Sequence, residues 1–178
     1  MNLKLKVGSY HIGLRSSIRK DKNQKTIGYT NRCEDGKYIV FLDYDNLEYN
    51  WVINELRRLQ SDYMLGDFYI FQSGKNNFHA VCFDKVVMQE LLVILKNSSV
   101  DQNYIDVPSK WGKKIWTLRL TDKKKIPIEY MRRVDSEHTG FRWQSKAHAT
   151  IVENLFGFKV KLRRADETNK ICLALYTI

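Results

Sequence analysis

Two acids follow an apolar stretch in the first third of the chain. The segment "YIVFLDYDN" places Asp43 and Asp45 on either side of Tyr44. Residues two apart in a β-strand point to the same face, so both carboxylates are predicted to project side by side. Neighbouring carboxylates repel unless a cation lies between them. Oxygen ligands of this kind suit Mg²⁺ or Mn²⁺, which in turn bind substrate phosphates. The alternative is that the strand has ended and the acids lie in a solvated turn.

The segment "SGKNNFHAV" contains groups that can hold a phosphate. Ser73, Gly74 and Lys75 fall on a predicted tight hairpin, where backbone N–H groups and an ammonium can bind an anion. His79 begins the returning strand. A single histidine in such a place is more often structural, but the predicted topology brings this strand close to the strand of the two acids. That coincidence favours a functional role for His79.

A third carboxylate and an arginine lie further along, in "YIDVPSKWGKKIWTLRLT". Asp106, if it lies near the first two acids, completes a site for two metal ions, which stabilises both oxygens of a phosphoryl displacement. The competitor is Asp101, whose context is typical of a turn between a helix and a strand. Arg119 alternates with Leu118 and Leu120, so its side chain is expected to leave the core and meet a phosphate. The alternative for Arg119 is an ordinary exposed strand arginine.

The elements that position these residues follow from hydrophobic periodicity. Strands are predicted at "KYIVFLDYD", "DFYIFQSG", "NFHAVCFD" and "KKIWTLRLT", with an uncertain short strand at "YIDV". Amphipathic helices are predicted at "NLEYNWVINELRRLQSDY", capped by Asn46, and at "KVVMQELLVILKN". The order β-α-β-β-α-β predicts an α+β fold with an RRM-like, ferredoxin-like core at 37–121. Two helices then cover one face of the sheet and leave the other face free for a ligand.

Flanking segments at 1–36 and 122–178 are expected to join in a small module around this core, within one domain of 178 residues. The polar, basic stretch at 15–37 is predicted to be a loop or mobile arm. The C-terminal "FGFKVKLRRADETNKICLALYTI" is predicted to form a β-hairpin that turns near "ADETNK".

Charge indicates the kind of partner. Thirty Lys and Arg oppose twenty Asp and Glu, giving a net charge of +10, which favours polyanions and nucleic acid above all. Basic stretches such as "KWGKK", "DKKK" and "KVKLRR" lie near aromatic residues that are candidate stacking platforms for bases: Trp111, Trp116, Phe141 and Trp143. His138 and His148 have no convincing ligand set and are interpreted as surface or structural residues.

Other functional classes are disfavoured. The three cysteines form no CxxC pair, which argues against a structural zinc site and suits a reducing cytoplasm. No signal peptide is evident, and no run approaches the roughly 20 apolar residues that span a bilayer. We therefore expect a cytoplasmic protein without a membrane partner.

Together the motifs "FLDYDN", "SGKNNFH" and "IDV…LRL" resemble the catalytic core of the archaeo-eukaryotic primase superfamily, which includes primase-polymerases of plasmids, viruses and mobile elements. The resemblance covers about residues 30–122. It implies an RRM-like unit packed with a further α/β module. It implies two divalent ions, Mg²⁺ or Mn²⁺, held by Asp43, Asp45 and Asp106. It also implies that the incoming nucleotide's phosphates are contacted by Ser73, Lys75, His79 and Arg119.

The leading hypothesis is a metal-dependent nucleotidyltransferase that extends or initiates a strand on a DNA template. Its expected partners are single-stranded or primer-template DNA, nucleoside triphosphates, and a helicase or other replication protein. The alternatives are a non-catalytic RRM-like nucleic-acid-binding module and a degenerate primase subunit. A replication-initiator nuclease is disfavoured, because that class needs paired histidines and "FHAV" contains one.

Overall fold

The protein has an α+β fold, in which the described residues form two β-sheets and four helices. The computed structural model describes residues 2–7, 10–15, 27–110, 114–119, 126–166 and 174–177. The strands are β1 (Asn2–Val7), β2 (Tyr10–Arg15), β3 (Ile27–Thr30), β4 (Tyr38–Tyr44), β5 (Phe68–Gly74), β6 (Asn77–Val86), β7 (Thr117–Arg119), β8 (Glu129–Val134) and β9 (Ala174–Thr177). The helices are α1 (Tyr49–Tyr63), α2 (Met88–Lys96), α3 (Gln102–Lys110) and α4 (Lys146–Phe156). Among the residues described, no helix has the length and apolar character needed to cross a membrane.

The first sheet is antiparallel, with strand order β4-β6-β5-β8. The predicted strand, helix, hairpin and second helix are confirmed as β4, α1, β5–β6 and α2, and Lys75 and Asn76 form the tight hairpin turn. Alternate residues of β4, such as Val40 and Leu42, share a buried core with helix residues such as Leu56 and Leu91. One face of this sheet is therefore covered by α1 and α2, as predicted.

The opposite face of the first sheet is also covered, so the prediction of a free ligand-binding face is wrong. Ile39 and Phe41 of β4 pack in a second core with Leu118 of β7 and Val152 of α4. The physical reason is visible in the sequence of β4, where residues 38–42 are all apolar and all buried. Such a continuous apolar run is typical of a strand buried on both faces.

The second sheet has the order β1-β2-β9-β3-β7 and contains strands from both ends of the chain. It includes β7, so the prediction that this strand completes the first sheet is wrong. β7 pairs antiparallel with β3 instead, with Arg119 opposite Gly28. A Cβ atom at Gly28 would lie 2.7 Å from the carbonyl oxygen of Leu118, so glycine is needed for this close approach of the two strands.

At the edge of β4 where the predicted fourth strand would have paired, the backbone groups are hydrogen-bonded to individual residues instead of to a strand. The carbonyl of Phe41 faces the Tyr104 hydroxyl at 3.5 Å, and the carbonyl of Asp43 accepts a hydrogen bond from the Asp101 amide at 3.4 Å. The main chain of Ile39 is bonded in both directions to Asn31, through the Ile39 N–H (2.9 Å) and the Ile39 carbonyl (3.2 Å). A buried edge must have such partners, because unpaired backbone groups are costly away from water.

The prediction of a short strand at "YIDV" is wrong, because these residues lie in α3. Asp101 precedes the helix and caps it, since its Oδ1 accepts a hydrogen bond from the Asn103 N–H at 2.7 Å. The helix also contains Pro108, which has no N–H for the carbonyl four residues earlier. That carbonyl, of Tyr104, accepts a hydrogen bond from the Trp116 indole at 3.0 Å instead.

Three further predictions need correction. The stretch at 15–37, expected to be a loop or arm, contains β3, a strand inside the second sheet, while its residues 16–26 lie outside the described part of the chain. Among the described residues the C-terminal hairpin does not form, because 158–164 carries no strand and β9 pairs with β2 and β3. The predicted turn is described only as far as residue 166. Asn46 does not cap α1, because it lies in a left-handed turn (φ 57°) three residues before the helix begins.

Asn31 joins the two sheets with four hydrogen bonds. Besides its two bonds to Ile39, its N–H donates to the Trp116 carbonyl and its Oδ1 accepts from the Trp116 N–H, both at 3.0 Å. The Asn31 side chain is completely buried. Because Trp116 directly precedes β7 and Ile39 lies in β4, Asn31 sets the position of the second sheet against the first.

We expect Asn31→Ala to lower the free energy of unfolding by about 3 kcal/mol, because it leaves a buried N–H and a buried carbonyl without partners, at about 1–3 kcal/mol each. Urea denaturation followed by circular dichroism measures the change. The matched control is Asn103→Ala on the exposed surface of α3, with an expected effect within about 0.5 kcal/mol. A loss below about 1 kcal/mol for Asn31→Ala would contradict this role.

A buried histidine makes the fold sensitive to acid. His148 of α4 donates from Nε2 to the Thr30 carbonyl (3.0 Å), so its Nδ1 accepts from the Ser145 hydroxyl (2.7 Å). Burial is the main cause that lowers the pKa of His148 from 6.5 to about 4. The hydrogen bond to Thr30 opposes this shift, and the nearby Lys85 ammonium adds to it. As the pH falls below 6.5, the unfolded chain takes up a proton that the folded protein refuses until about pH 4.

We expect this histidine to reduce the free energy of unfolding by about 2 kcal/mol between pH 7 and pH 5. His148→Gln should remove that part of the pH dependence while lowering stability at pH 7. Urea titrations of both proteins at the two pH values measure the difference. Equal pH dependence in the two proteins would show that His148 does not titrate in this way.

Candidate active site

Asp43 and His79 lie directly opposite each other on β4 and β6. His79 Nε2 is 3.4 Å from Asp43 Oδ1, and the Asp43 side chain keeps 29% of its surface exposed. The predicted closeness of the histidine strand to the acid strand is therefore confirmed. The two side chains lie on the face of the sheet opposite α1 and α2, at the end where β4 finishes.

Burial keeps the imidazole neutral. Burial, together with the positive charge of Arg119, lowers the pKa of His79 from 6.5 to about 3. At neutral pH the contact with Asp43 is accordingly a polar contact of a neutral ring. A neutral imidazole can offer one N–H to a phosphate oxygen without adding charge.

Asp45 is exposed and follows the last residue of β4. The strand thus contains the first acid and ends just before the second. The chain around Asp45 is tied to the β5–β6 hairpin, because the Asn46 N–H donates to Asn77 Oδ1 (2.9 Å) and the Leu47 N–H to the Asn76 carbonyl (3.0 Å). These bonds bring the acid motif and the hairpin motif together at one corner of the first sheet, with Lys75 exposed on the turn.

Arg119 reaches this corner from the second sheet. Its guanidinium donates to the carbonyl of Ser73 at 2.8 Å, and the Ser73 side chain is buried. A small cleft beside His79 and Arg119 has mainly apolar walls, including Phe71 and Phe156. Four predicted residues, Asp43, Ser73, His79 and Arg119, therefore converge although they come from four different strands.

Asp106 is placed differently from the other two acids. It lies on α3, and its Oδ1 accepts a hydrogen bond from the Gln102 side chain at 3.0 Å. Its competitor Asp101 has a backbone bond to Asp43, but its own carboxylate caps α3. Within the described parts of the chain, no group of three or more His, Cys, Asp or Glu residues is arranged to hold a metal ion. The described residues thus do not bring three carboxylates together as a metal site.

Asp43 and Asp45 nevertheless suit one hard divalent cation. Mg²⁺ is usually held by one or two carboxylates together with substrate phosphates and water, rather than by a complete protein cage. A partly exposed carboxylate, Asp43, and an exposed one, Asp45, at the same strand end have the donor chemistry and the solvent access for such binding.

The sequence patterns missed Tyr104, which lines the site from α3. Its phenol is buried beside β4, and burial together with the charge of Asp43 holds its pKa well above the ordinary value. The signal was present, since Asp101 is a strong helix N-cap. The competing apolar pattern of "YIDV" favoured a strand.

The predicted stacking platforms divide into two groups. Trp116 is buried in the main core, so its assignment as a platform is wrong. Phe141 and Trp143 are 64% and 47% exposed. Trp111 lies outside the described residues. His138 is half-buried and His148 is buried, as expected of surface and structural residues.

Comparisons of this chain with protein-family models, with curated proteins and with solved structures each returned no match. A functional assignment therefore depends on the motifs and on the geometry at this corner of the sheet.

Proposed function

We propose that the protein is a metal-dependent nucleotidyltransferase of the primase-polymerase type, which adds nucleotides to a primer or initiates a strand on a DNA template. The observation that carries the proposal is the convergence of Asp43, His79 and Arg119 beside the Lys75 hairpin. An acid beside a neutral imidazole, with a guanidinium near that imidazole, suits a nucleoside triphosphate with its bound cation. The β4-β6-β5 order with two helices on one face further supports an RRM-like core.

The expected chemistry is attack of a 3′-hydroxyl on the α-phosphate of a nucleoside triphosphate. A phosphorus–oxygen bond forms to the primer, the bond to the β-phosphate breaks, and pyrophosphate leaves. Divalent ions, when bound, supply charge neutralisation and lower the pKa of the hydroxyl. Asp43 and Asp45 would hold such an ion, and Arg119 and Lys75 would bind the triphosphate. His79 would orient a phosphate oxygen through a neutral N–H.

The partners that follow from this function are single-stranded or primer-template DNA, nucleoside triphosphates and a recruiting replication protein such as a helicase. The net charge of +10 supports the nucleic-acid part of the proposal.

The second candidate is a non-catalytic nucleic-acid-binding module or a degenerate primase subunit. It is favoured by one observation: the described residues do not bring Asp106 into a three-ligand group with Asp43 and Asp45. Under this alternative the protein binds nucleic acid but incorporates no nucleotide without a partner subunit.

We expect Asp43→Asn and Asp45→Asn each to reduce nucleotide incorporation at least about 100-fold, because each removes a charge that neutralises the reacting phosphates. The assay combines a single-stranded template, with and without a primer, labelled nucleotides, and Mg²⁺ or Mn²⁺. Asp106→Asn and Asp101→Asn in the same assay identify which of them acts as a third carboxylate.

The matched control is Asp135→Asn, which removes an exposed carboxylate at the end of β8 and should leave incorporation unchanged. Normal incorporation by an Asp43→Asn/Asp45→Asn double variant would refute the site. Absence of product from the folded wild-type protein under all conditions would favour the binding module.

We expect Arg119→Ala to raise KM for the nucleoside triphosphate about 10- to 100-fold, because a charge-assisted contact to phosphate is lost. Arg119→Lys should recover part of the affinity, since it keeps the charge but not the planar fork. Steady-state kinetics with varied nucleotide measures KM, and primer-template affinity is the control. If template affinity falls and KM does not change, Arg119 contacts the nucleic acid rather than the nucleotide.

A further inference from the structure

An extended segment, which we call the strap (residues 158–164), crosses the surface of the protein after α4. Its apolar residues Phe158, Val160 and Leu162 pack against the second core. The alternating residues Lys159, Lys161 and Arg163 are exposed, Lys159 to 92%. The strap therefore presents a row of three positive charges to solvent.

The strap begins at the candidate active site. The ring of Phe158 stacks on Tyr130 with centroids 3.7 Å apart and lies 6.0 Å from Phe71. Phe71 is paired with His79 in the sheet, and Phe156, just before the strap, lines the cleft beside His79. The first residues of the strap thus lie next to the cleft.

The strap then runs toward the far end of the sheet. The N–H of Lys161 donates to the Tyr69 hydroxyl at 2.7 Å, which ties the middle of the strap to β5. The strap ends beside Trp143, whose carbonyl accepts a hydrogen bond from the Lys85 N–H at 2.8 Å. Lys85 is six residues beyond His79 on β6, so the strap covers about 20 Å.

An exposed aromatic pair, which we call the platform (Phe141 and Trp143), stands at this far end. The guanidinium of Arg164 lies 4.4 Å above the Trp143 ring and also donates to the Phe141 carbonyl at 3.3 Å. Contiguous exposed apolar groups, unlike single exposed residues, often mark a binding surface. Arg stacked on an exposed indole beside a second ring is the combination that binds unpaired bases.

A buried glutamine holds the strap and the platform together. The Gln144 N–H donates to the Arg164 carbonyl (2.8 Å), and the Gln144 carbonyl accepts from the Asp166 N–H (2.9 Å). The side-chain Oε1 of Gln144 accepts from the Arg163 N–H at 2.8 Å. Its Nε2 donates to the buried carboxylate of Asp84 at 2.9 Å. Because these bonds are already made, binding a ligand on this surface does not have to order it first.

The acidic groups near the strap do not reverse its charge. Glu153 lies 3.8 Å from Lys159 and also accepts a hydrogen bond from the Val160 N–H (2.8 Å). Asp166 is paired with Lys85 beneath the surface. Glu137 is exposed on the turn before Phe141. Neighbouring cations also include Lys146 at the start of α4.

We propose that the strap and the platform form a track for single-stranded nucleic acid, in which Lys159, Lys161 and Arg163 bind consecutive phosphates and Phe141 and Trp143 stack on bases. The inference rests on the proposed function only for the identity of the strand, which would be the template leaving the active site. A protein partner is less suited to the track, because a row of cations and an exposed ring–guanidinium stack match a polyanion with flat bases.

The test is binding of a fluorescein-labelled oligothymidylate of about 12 nucleotides, followed by fluorescence anisotropy over a range of salt concentrations. Measurements in EDTA without nucleotides keep binding separate from catalysis. We expect K159A/K161A to weaken binding at least about tenfold and to reduce the slope of log K against log salt by about 1.4, since each phosphate contact on a single strand contributes about 0.7.

Trp143→Ala is expected to weaken binding about tenfold with an unchanged salt slope, because it removes stacking and no charge. Trp143→Phe retains a ring, so its affinity should stay within about threefold of that of the wild type. This variant, together with thermal melting, tests whether a folding defect explains the effect of Trp143→Ala. The matched control R57A/K96A removes two exposed cations from α1 and α2, on the opposite side of the first sheet, and should change affinity less than about twofold.

Wild-type affinity and slope in K159A/K161A and in Trp143→Ala would overturn the track. The track would also be overturned if polyglutamate displaced the DNA and Trp143→Ala bound DNA like the wild type. That result would indicate an acidic protein as the occupant. If the wild type incorporated no nucleotide in any assay but the variants showed the expected losses of binding, the proposed function would be refuted and the track would stand. Incorporation by the wild type with unaltered binding by the variants would refute the track alone.

Discussion

The arrangement of the molecule depends on the hydrogen bonds of one buried side chain, Asn31. A strand edge buried between two sheets needs a partner for every peptide group, and Asn31 supplies one to Ile39 of β4 and to Trp116 before β7 at the same time. An asparagine can do this because its amide both donates and accepts. The bonds also fix the separation of the two sheets, and with it the place from which Arg119 enters the site.

The candidate active site lies where this junction meets the end of β4. Asp43 and His79 belong to one sheet and are paired by its register, whereas Arg119 belongs to the other sheet and reaches Ser73 across the junction. A shift of β7 by one residue would turn Arg119 away from the cleft, because successive residues of a strand face opposite sides. The electrostatic character of the site is therefore a property of the packing between sheets. Burial and this guanidinium together keep His79 neutral.

On the surface of the protein, as between the two sheets, a buried amide hydrogen-bonds to neighbouring segments and apolar residues pack around it. Gln144 joins the strap to the segment carrying the platform, as Asn31 joins the sheets, and both side chains are buried amides with several bonds. Around them, apolar residues such as Phe158 supply the burial that stabilises the segments. The strap runs from the acidic corner to the platform, about 20 Å along β6.

Local sequence determined the elements that bring the two principal motifs together. The apolar run of β4, the amphipathic periods of α1 and α2, and the two-residue turn at Lys75 and Asn76 each depend on neighbours in the chain, so the pattern predicts them, and the closeness of Asp43 to His79 follows. Only the tertiary structure decided where β7 pairs, that α3 replaces a strand, and that the second sheet face is covered, because these outcomes depend on contacts far apart in sequence. The position of Asp106 belongs to this group, since a helix rather than a strand carries it.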